Sequence, residues 1–451
     1  QLPTSMTDKD SFDKRTALYH TFGCKLNFAE TSTVARMLAD KGIRRAAPDE
    51  KPDVIVVNTC SVTEEADRKC RRAIRSFHRR YPDATIAVTG CYAQLKAEEA
   101  ASLPGVGVVA GINDKLRLPE LIAERLADRN TTSTSPEIPD AASLREFMPS
   151  CSRGDRTRYF LKVQDGCDYW CTYCTIPKAR GRSRSGTIDQ LVGQARQAAA
   201  EGGREIVITG VNIGDFGKGR PDNFIDLCRA LDDVDGIERY RISSIEPNLL
   251  TDEIIDFVAA SRRFMPHFHI PLQCGSDEVL RLMRRRYDTA LFRARTEHIK
   301  RVMPHAFIGV DLIVGARGER PELFRESRDF VDSLPVSQLH VFPYSERPGT
   351  RALEIEYAVE PAEKHSRMTE MTAISERKHG EFCRSFTGTV RPVLLEHGHG
   401  DDKGVMNGFT DNYIKVEVAA APELDNRIVD VRLDSPADDG ESIRATIVGI
   451  H

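Results

Sequence analysis

The sequence predicts an α/β protein in three parts: a parallel-sheet α/β domain, a partial (β/α)6 barrel and a small antiparallel β-barrel. Three observations carry that reading. Short β-rich runs alternate with helical segments over two long stretches, the pattern of parallel strands with helices on their faces. A segment rich in Thr, Ser, Pro and Asp, without periodicity, separates the two stretches. After Phe382 the alternation gives way to short strands divided by turn residues.

The first domain is expected over residues 15–128. Thr16–Thr21, Asp53–Asn58 and Thr85–Thr89 read as strands, and Glu30–Lys41 and Glu64–Arg80 as helices. The linker covers residues 129–156. The second domain, residues 157–380, has strands expected at Tyr159–Val163, Glu205–Thr209, Arg239–Ser243, His267–Pro271, Phe307–Val314 and Gln338–Pro343. Six strand–helix units make a partial barrel, whose chemistry belongs at the carboxyl ends of the strands. Residues 382–451 carry short strands at Thr389–Glu396, Gly404–Gly408, Tyr413–Val418, Arg427–Leu433 and Ala445–Ile450. They suggest an OB-like barrel of the kind that often handles RNA.

At 451 residues the chain is too long for one core, and its 40% hydrophobic and 29% charged residues read as globular. No apolar run approaches the roughly 18 residues of a membrane span, and no signal segment opens the chain, so the cytoplasm is the expected location. Gln1–Ser5 precede Met6 and read as residues added ahead of a natural start. Eleven cysteines in an unsecreted chain point to metal ligation or buried thiols rather than disulfides. The net charge of −4 does not advertise nucleic-acid binding, but three basic clusters do. They are Arg68, Lys69, Arg71, Arg72, Arg75, Arg79 and Arg80; Lys178, Arg180, Arg182 and Arg184; and Arg284–Arg286. Each alone reads as a solvated face; together they fit a phosphate-tracking surface.

Cys167, Cys171 and Cys174 form a Cys-x3-Cys-x2-Cys triplet just after the first strand of the second domain. Four thiolates would complete a 4Fe-4S cluster, whereas three leave one iron open to a substrate or cofactor. A structural zinc site would want a closed set of four ligands. The nearest histidines, His78 and His267, are distant, and Cys151 falls in the linker. Three further cysteines share one grammar: Cys24, Cys60 and Cys91 each follow a strand of the first domain. Neighbouring parallel strands lie about 4.8 Å apart, so such loops can converge on one site. Gly23 and Gly90 would let the backbone come close. Position alone leaves ligation and a plain buried thiol equally open. Cys70, Cys228, Cys274 and Cys383 lack the grammar, and Cys70 and Cys228 read as ordinary thiols.

The triplet, with Tyr173 before its last cysteine, resembles the radical S-adenosylmethionine superfamily. In the order N-terminal cysteine set, triplet and C-terminal barrel, nearly the whole chain resembles the radical-SAM methylthiotransferases. The resemblance implies two 4Fe-4S clusters and S-adenosyl-L-methionine as cofactors, with Cys24, Cys60 and Cys91 holding the second cluster. It implies a TRAM domain at residues 382–451 and replacement of a C–H by C–S–CH3. Gly23-Cys24-Lys25-Leu26-Asn27 and Ile208–Gly214 are similar to the branch acting on threonylcarbamoyladenosine beside the tRNA anticodon. The other branches act on isopentenyladenosine in tRNA or on an aspartate of a ribosomal protein. A non-enzymatic RNA-binding metalloprotein is a distant further reading.

By the same resemblance, Gly210 and Asn212 lie near the methionine part of the cofactor, Ser243, Ser244 and Glu246 near its ribose, and Gln273 and Ser276 at the mouth. Any of these polar residues could equally be a turn or cap. The threonylcarbamoyl carboxylate wants a cation, for which an arginine fork is best suited; the sequence does not choose among the arginines. The anticodon arm of tRNA is the expected partner of a monomeric enzyme, with no membrane involved. The family's Gly-Phe-Pro-Gly-Glu-Thr is replaced by Gly315-Ala316-Arg317-Gly318-Glu319-Arg320, and loss of the proline leaves that loop less preset.

Overall fold

Parallel strands buried on both faces need a near-continuous apolar run, and Val54–Val57 supplies one, with all four residues buried. The computed structural model describes residues 14–127, 138–152, 157–396 and 404–450. Gln1–Ser5, Asp128 and, of the expected linker, residues 129–137 and 153–156 lie outside the described residues. The described residues of Gln1–Ser152, Gln164–Trp170 and Cys174–Gly186 form one compact unit, and those of Arg153–Val163, Cys171–Tyr173 and Thr187–His451 form another.

In the first unit, β1 (Thr16–Thr21), α1 (Lys25–Asp40), β2 (Arg44–Arg45), β3 (Val54–Thr59), α2 (Glu64–Arg80), β4 (Thr85–Gly90), α3 (Cys91–Leu95), α4 (Ala97–Ala101), β5 (Val106–Ala110) and α5 (Leu118–Ala127) follow in order. The strands pair in parallel as β2-β1-β3-β4-β5. Val54 and Val56 face one core with Leu38 and Ile122, while Ile55 and Val57 face another with Ile74 and Tyr92. The strand order reverses between β1 and β3, the switch point beyond whose carboxyl ends such sheets bind ligands.

Two features differ from the sequence expectation. Helix α1 begins at Lys25, ahead of the expected Glu30; its first turns bury polar Asn27, Glu30, Thr31 and Ser32 alongside Leu26 and Ala29. The polar members dilute the apolar periodicity that marks a helix start. Strands β2 and β5 were not expected: β2 is two exposed arginines, and Gly107 interrupts the β-rich run of β5.

In the second unit, strands Arg158–Lys162, Glu205–Thr209 and Arg239–Ile242 pair in parallel, as do His267–Gln273, Phe307–Val314 and Gln338–Pro343. A bridge between Ser244 and His269 joins the two sets, giving the six strands of the partial barrel. The last strands, Val390–Glu396, Val405–Thr410, Lys415–Ala419, Ile428–Pro436 and Ile443–Ile450, close into a barrel. One pair in it, Lys415–Ala419 with Ile443–Ile450, is parallel rather than antiparallel.

The C-terminal barrel docks on the amino ends of the six strands. Arg241 donates to Thr410 O (2.7 Å) and Asp411 O (2.9 Å), Arg239 to Phe409 O (3.1 Å), and Arg158 pairs with Glu396 (2.5 Å). Glu205, fully buried, balances Arg241 at 2.7 Å.

Candidate functional site

Three loops leave the switch-point end of the first sheet together. Cys24 follows β1 and precedes α1, Cys60 follows β3, and Cys91 opens α3 directly after β4. Their thiols feel one another: Cys60 interacts with Cys91 and Cys24, and Cys91 with Cys24. The approach leaves no room for side chains between the loops. A Cβ on Gly23 (φ +93°) would lie 2.9 Å from Cys60 Cβ and 3.1 Å from its Sγ, and one on Gly90 (φ +98°) 2.3 Å from Thr59 O. Burial pushes the Cys60 thiol up to about 12, with Cys91 adding to the effect. Burial also raises Cys91, against the pull of Arg180 and Lys115. Such thiols are neutral until a metal displaces their protons. Donor type, convergence and nearby positive charge all fit an iron–sulfur cluster. Among the described residues no three His, Cys, Asp or Glu side chains are grouped as ligands of one metal ion; a four-iron cluster instead spreads its thiolates over separate irons. Cys70 is buried and its thiol points to Cys60 O at 3.6 Å.

The triplet carries the sulfur hydrogen bonds that iron–sulfur sites use. In the first unit, the Tyr169 N–H donates to Cys167 Sγ and the Ile176 N–H to Cys174 Sγ, each at 3.4 Å. Trp170 between them has φ +52°, a strained value for a bulky residue. In the second unit, Arg285 Nη1 donates to Cys171 Sγ at 3.1 Å. The same guanidinium pairs with Glu246 and donates from Nε to Tyr287 Oη at 3.0 Å. Burial raises the Glu246 carboxyl, and Arg285 opposes the rise.

Two of the three basic clusters thus need correction. Arg285 has only 3% of its side chain exposed and Arg180 2%, so neither is a phosphate-tracking surface residue. Both sit in basic runs with exposed neighbours (Lys178 and Arg182; Arg284 and Arg286), and no local signal distinguishes them. The α2 cluster does lie outward: Lys69, Arg72, Arg75 and Arg79 are exposed, whereas Arg71 is tied to Glu64 and Glu99.

Gly210 and Asn212 follow strand Glu205–Thr209, and Asn212 is buried. Ser243 is buried and Ser244 half-buried after strand Arg239–Ile242. Gln273 ends its strand at a bulge with φ +68°. Ser276 is fully buried and its hydroxyl donates to Glu326 Oε2 at 2.9 Å. The sequence reading missed a half-buried cluster on three adjacent strands. His269 Nε2 lies 2.7 Å from Asp311 Oδ1, and the His269 and His340 rings are 5.1 Å apart. Its signal is a polar residue at alternate positions of otherwise apolar strands. The 315–320 loop gains from Glu319 the rigidity that proline would have supplied: Glu319 Oε2 accepts from the Gly315 N–H (2.6 Å) and from Arg367 (2.7 Å).

The chain matches the uncharacterized protein family UPF0004 over residues 16–111 and the radical SAM superfamily over residues 161–331. It is 36% identical over 437 residues to the threonylcarbamoyladenosine tRNA methylthiotransferase MtaB of Bacillus subtilis, covering 95% of this chain and 96% of that one. The Thermotoga maritima protein of the same name is 34% identical, covering 96% and 98%. The tRNA-2-methylthio-N(6)-dimethylallyladenosine synthase of Sphingopyxis alaskensis is 34% identical, covering 92% and 94%. Among solved structures, the radical S-adenosylmethionine methyltransferase TsrM of Kitasatospora setae, with cobalamin and a 4Fe-4S cluster bound, is similar in fold. Its TM-score is 0.54 at 17% identity, covering 75% of this chain and 77% of that chain.

Proposed function

We propose, for a chain that belongs to the radical S-adenosylmethionine tRNA methylthiotransferase family, that it adds a methylthio group to the 2-position of threonylcarbamoyladenosine at position 37, beside the anticodon. The observation that supports this branch is the 36% identity over 95% of the chain to the Bacillus subtilis relative; the three relatives of that name are 33–36% identical and the dimethylallyladenosine synthases 30–34%.

When bound, a 4Fe-4S cluster with S-adenosyl-L-methionine supplies the radical that opens the C–H bond, and a second cluster supplies the sulfur. Cys167, Cys171 and Cys174 hold the first and Cys24, Cys60 and Cys91 the second. Arg285 steadies Cys171 and keeps Glu246 in place through its ion pair. Gly210, Asn212, Ser243, Ser244 and Glu246 serve the cofactor from the strand ends, and Gln273 and Ser276 line the mouth. In this reading residues 15–128 are the methylthiotransferase domain, 129–156 the linker, 157–380 the radical-SAM domain and 382–451 the TRAM domain. Exposed Lys69, Arg72, Arg75 and Arg79 of α2 take phosphates of the anticodon arm, and the target base leaves its stack. No helix among the described residues is long and apolar enough to cross a membrane; action on tRNA would put a monomer in the cytoplasm.

The test is mass analysis of tRNA nucleosides from cells lacking the gene. Loss of methylthio-threonylcarbamoyladenosine is expected. Loss of the methylthio-isopentenyl nucleoside instead would move the chain to the other tRNA branch.

A further inference from the structure

Behind Cys91 lies a chain of fully buried charges that no cluster ligand accounts for. Lys115 pairs with Glu30; Glu30 pairs with Arg180 at 3.2 Å; Arg180 pairs with Asp165 at 2.9 Å; and Asp165 pairs with Arg184 at 3.1 Å. Glu30, Lys115, Asp165 and Arg180 are each at most 1% exposed. Burying four ionised groups is unfavourable compared with apolar packing of the same volume, so their retention calls for a reason besides stability.

Their positions supply one. Arg180 Nη2 donates to Asn27 Oδ1 at 2.5 Å, and Asn27 lies one turn beyond Cys24. Asn27 Nδ2 in turn donates to Thr59 O (3.1 Å), next to Cys60, and Asn58 Nδ2 donates back to Asn27 O (2.9 Å). The Arg180 charge also pulls the Cys91 thiol down, against its burial. It ends the helix Ile176–Arg180 that follows Cys174, while its partner Asp165 precedes Cys167. From the segment that carries Cys167 and Cys174, one guanidinium therefore holds Asn27 beside Cys24, through Asn27 holds Thr59 beside Cys60, and acts on Cys91 by its charge. Its fork geometry is what lets a single side chain bind Glu30, Asp165 and Asn27 at once.

We infer that Arg180 is a positioning residue that fixes the Cys24 and Cys60 loops through Asn27 and sets the electrostatic potential, and so the reduction potential, of the cluster that Cys24, Cys60 and Cys91 hold. The inference rests on the proposal that Cys24, Cys60 and Cys91 bind a cluster. A buried cation beside a cluster favours the reduced, more negative state. Hydrogen-bonded arginine does this without moving, since its partners fix it from three sides.

The experiment uses the full chain with Cys167, Cys171 and Cys174 all changed to Ala, reconstituted anaerobically with iron and sulfide. Iron per chain, the thermal unfolding curve and an EPR-monitored redox titration are read for this background and for R180K, R180Q and D165N within it. The background is expected to hold about four irons. R180Q should move the midpoint to a more negative potential, R180K should keep it near the background value, and D165N should move it the opposite way from R180Q. Folded R180Q with a full cluster and an unmoved midpoint would overturn the inference. Should R180Q not fold, an unmoved midpoint in D165N overturns it in the same way. A background chain without iron would instead overturn the two-cluster reading and the inference with it.

Discussion

Replacing Gly23 by Ala isolates what the close approach of the cysteine loops contributes. At φ +93° an alanine is strained by about 1–3 kcal/mol. Its Cβ would also sit 2.9 Å from Cys60 Cβ, where carbon–carbon contact wants about 3.5 Å or more. One loop must therefore shift by roughly 0.6 Å, carrying Cys24 or Cys60 out of the shared geometry. If the loop escapes the strain by moving, that ~1–3 kcal/mol works against cluster loading, a ~5- to ~150-fold weaker hold. Gly388→Ala is the control: its φ is +83° and a Cβ there meets nothing within 4 Å, so it carries strain without displacing a cysteine. Iron titration of both variants in the chain lacking Cys167, Cys171 and Cys174 reads the difference. G388A should load iron normally while G23A loads it weakly. Equal loading of G23A and the unsubstituted site would refute the argument that the loop approach is needed for the cluster.

Cys171→Ala should abolish cofactor cleavage, whereas Cys60→Ala should leave cleavage but stop sulfur insertion; counting 5′-deoxyadenosine and methylthiolated nucleoside in the same reaction separates the two. Glu205→Gln leaves Arg239 and Arg241 buried without their counter-charge, and urea unfolding should show a loss of about 3–5 kcal/mol. Burial alone would raise the Glu205 carboxyl, but Arg241, Arg158 and Arg239 outweigh it and hold it below the usual range. Its stabilisation is thus complete above the ordinary carboxylate pKa and is lost as pH falls through the depressed one; E205Q should remove that acid limb from the stability profile. Changing Arg72, Arg75 and Arg79 together to Gln should weaken tRNA binding and flatten the log–log salt slope by about 2–3; an unchanged slope would move the RNA to another face.

Much of the architecture was legible because it is local. Strand–helix alternation, turn residues and a cysteine just past a strand are features of neighbouring residues, and they located six strands, the final barrel and all six cysteine positions in the chain. The first helix was read short because the start of its buried face mixes Asn27, Glu30, Thr31 and Ser32 with Leu26 and Ala29, and polar residues buried by distant partners weaken the periodic trace. Strand order is likewise absent from periodicity. Only the pairing β2-β1-β3-β4-β5 reveals that Cys24 and Cys60 flank a topological switch point.

The sequence by itself determined the fold class and the positions of the six cysteines. The tertiary structure decided which charges serve them. Arg180 and Arg285 are members of basic runs like any others until Glu30, 150 residues away in sequence from Arg180, and Glu246, 39 away from Arg285, come to meet them. The physical reason is desolvation: a charge leaves water only when a partner compensates it, and that partner is supplied by folding rather than by neighbouring residues.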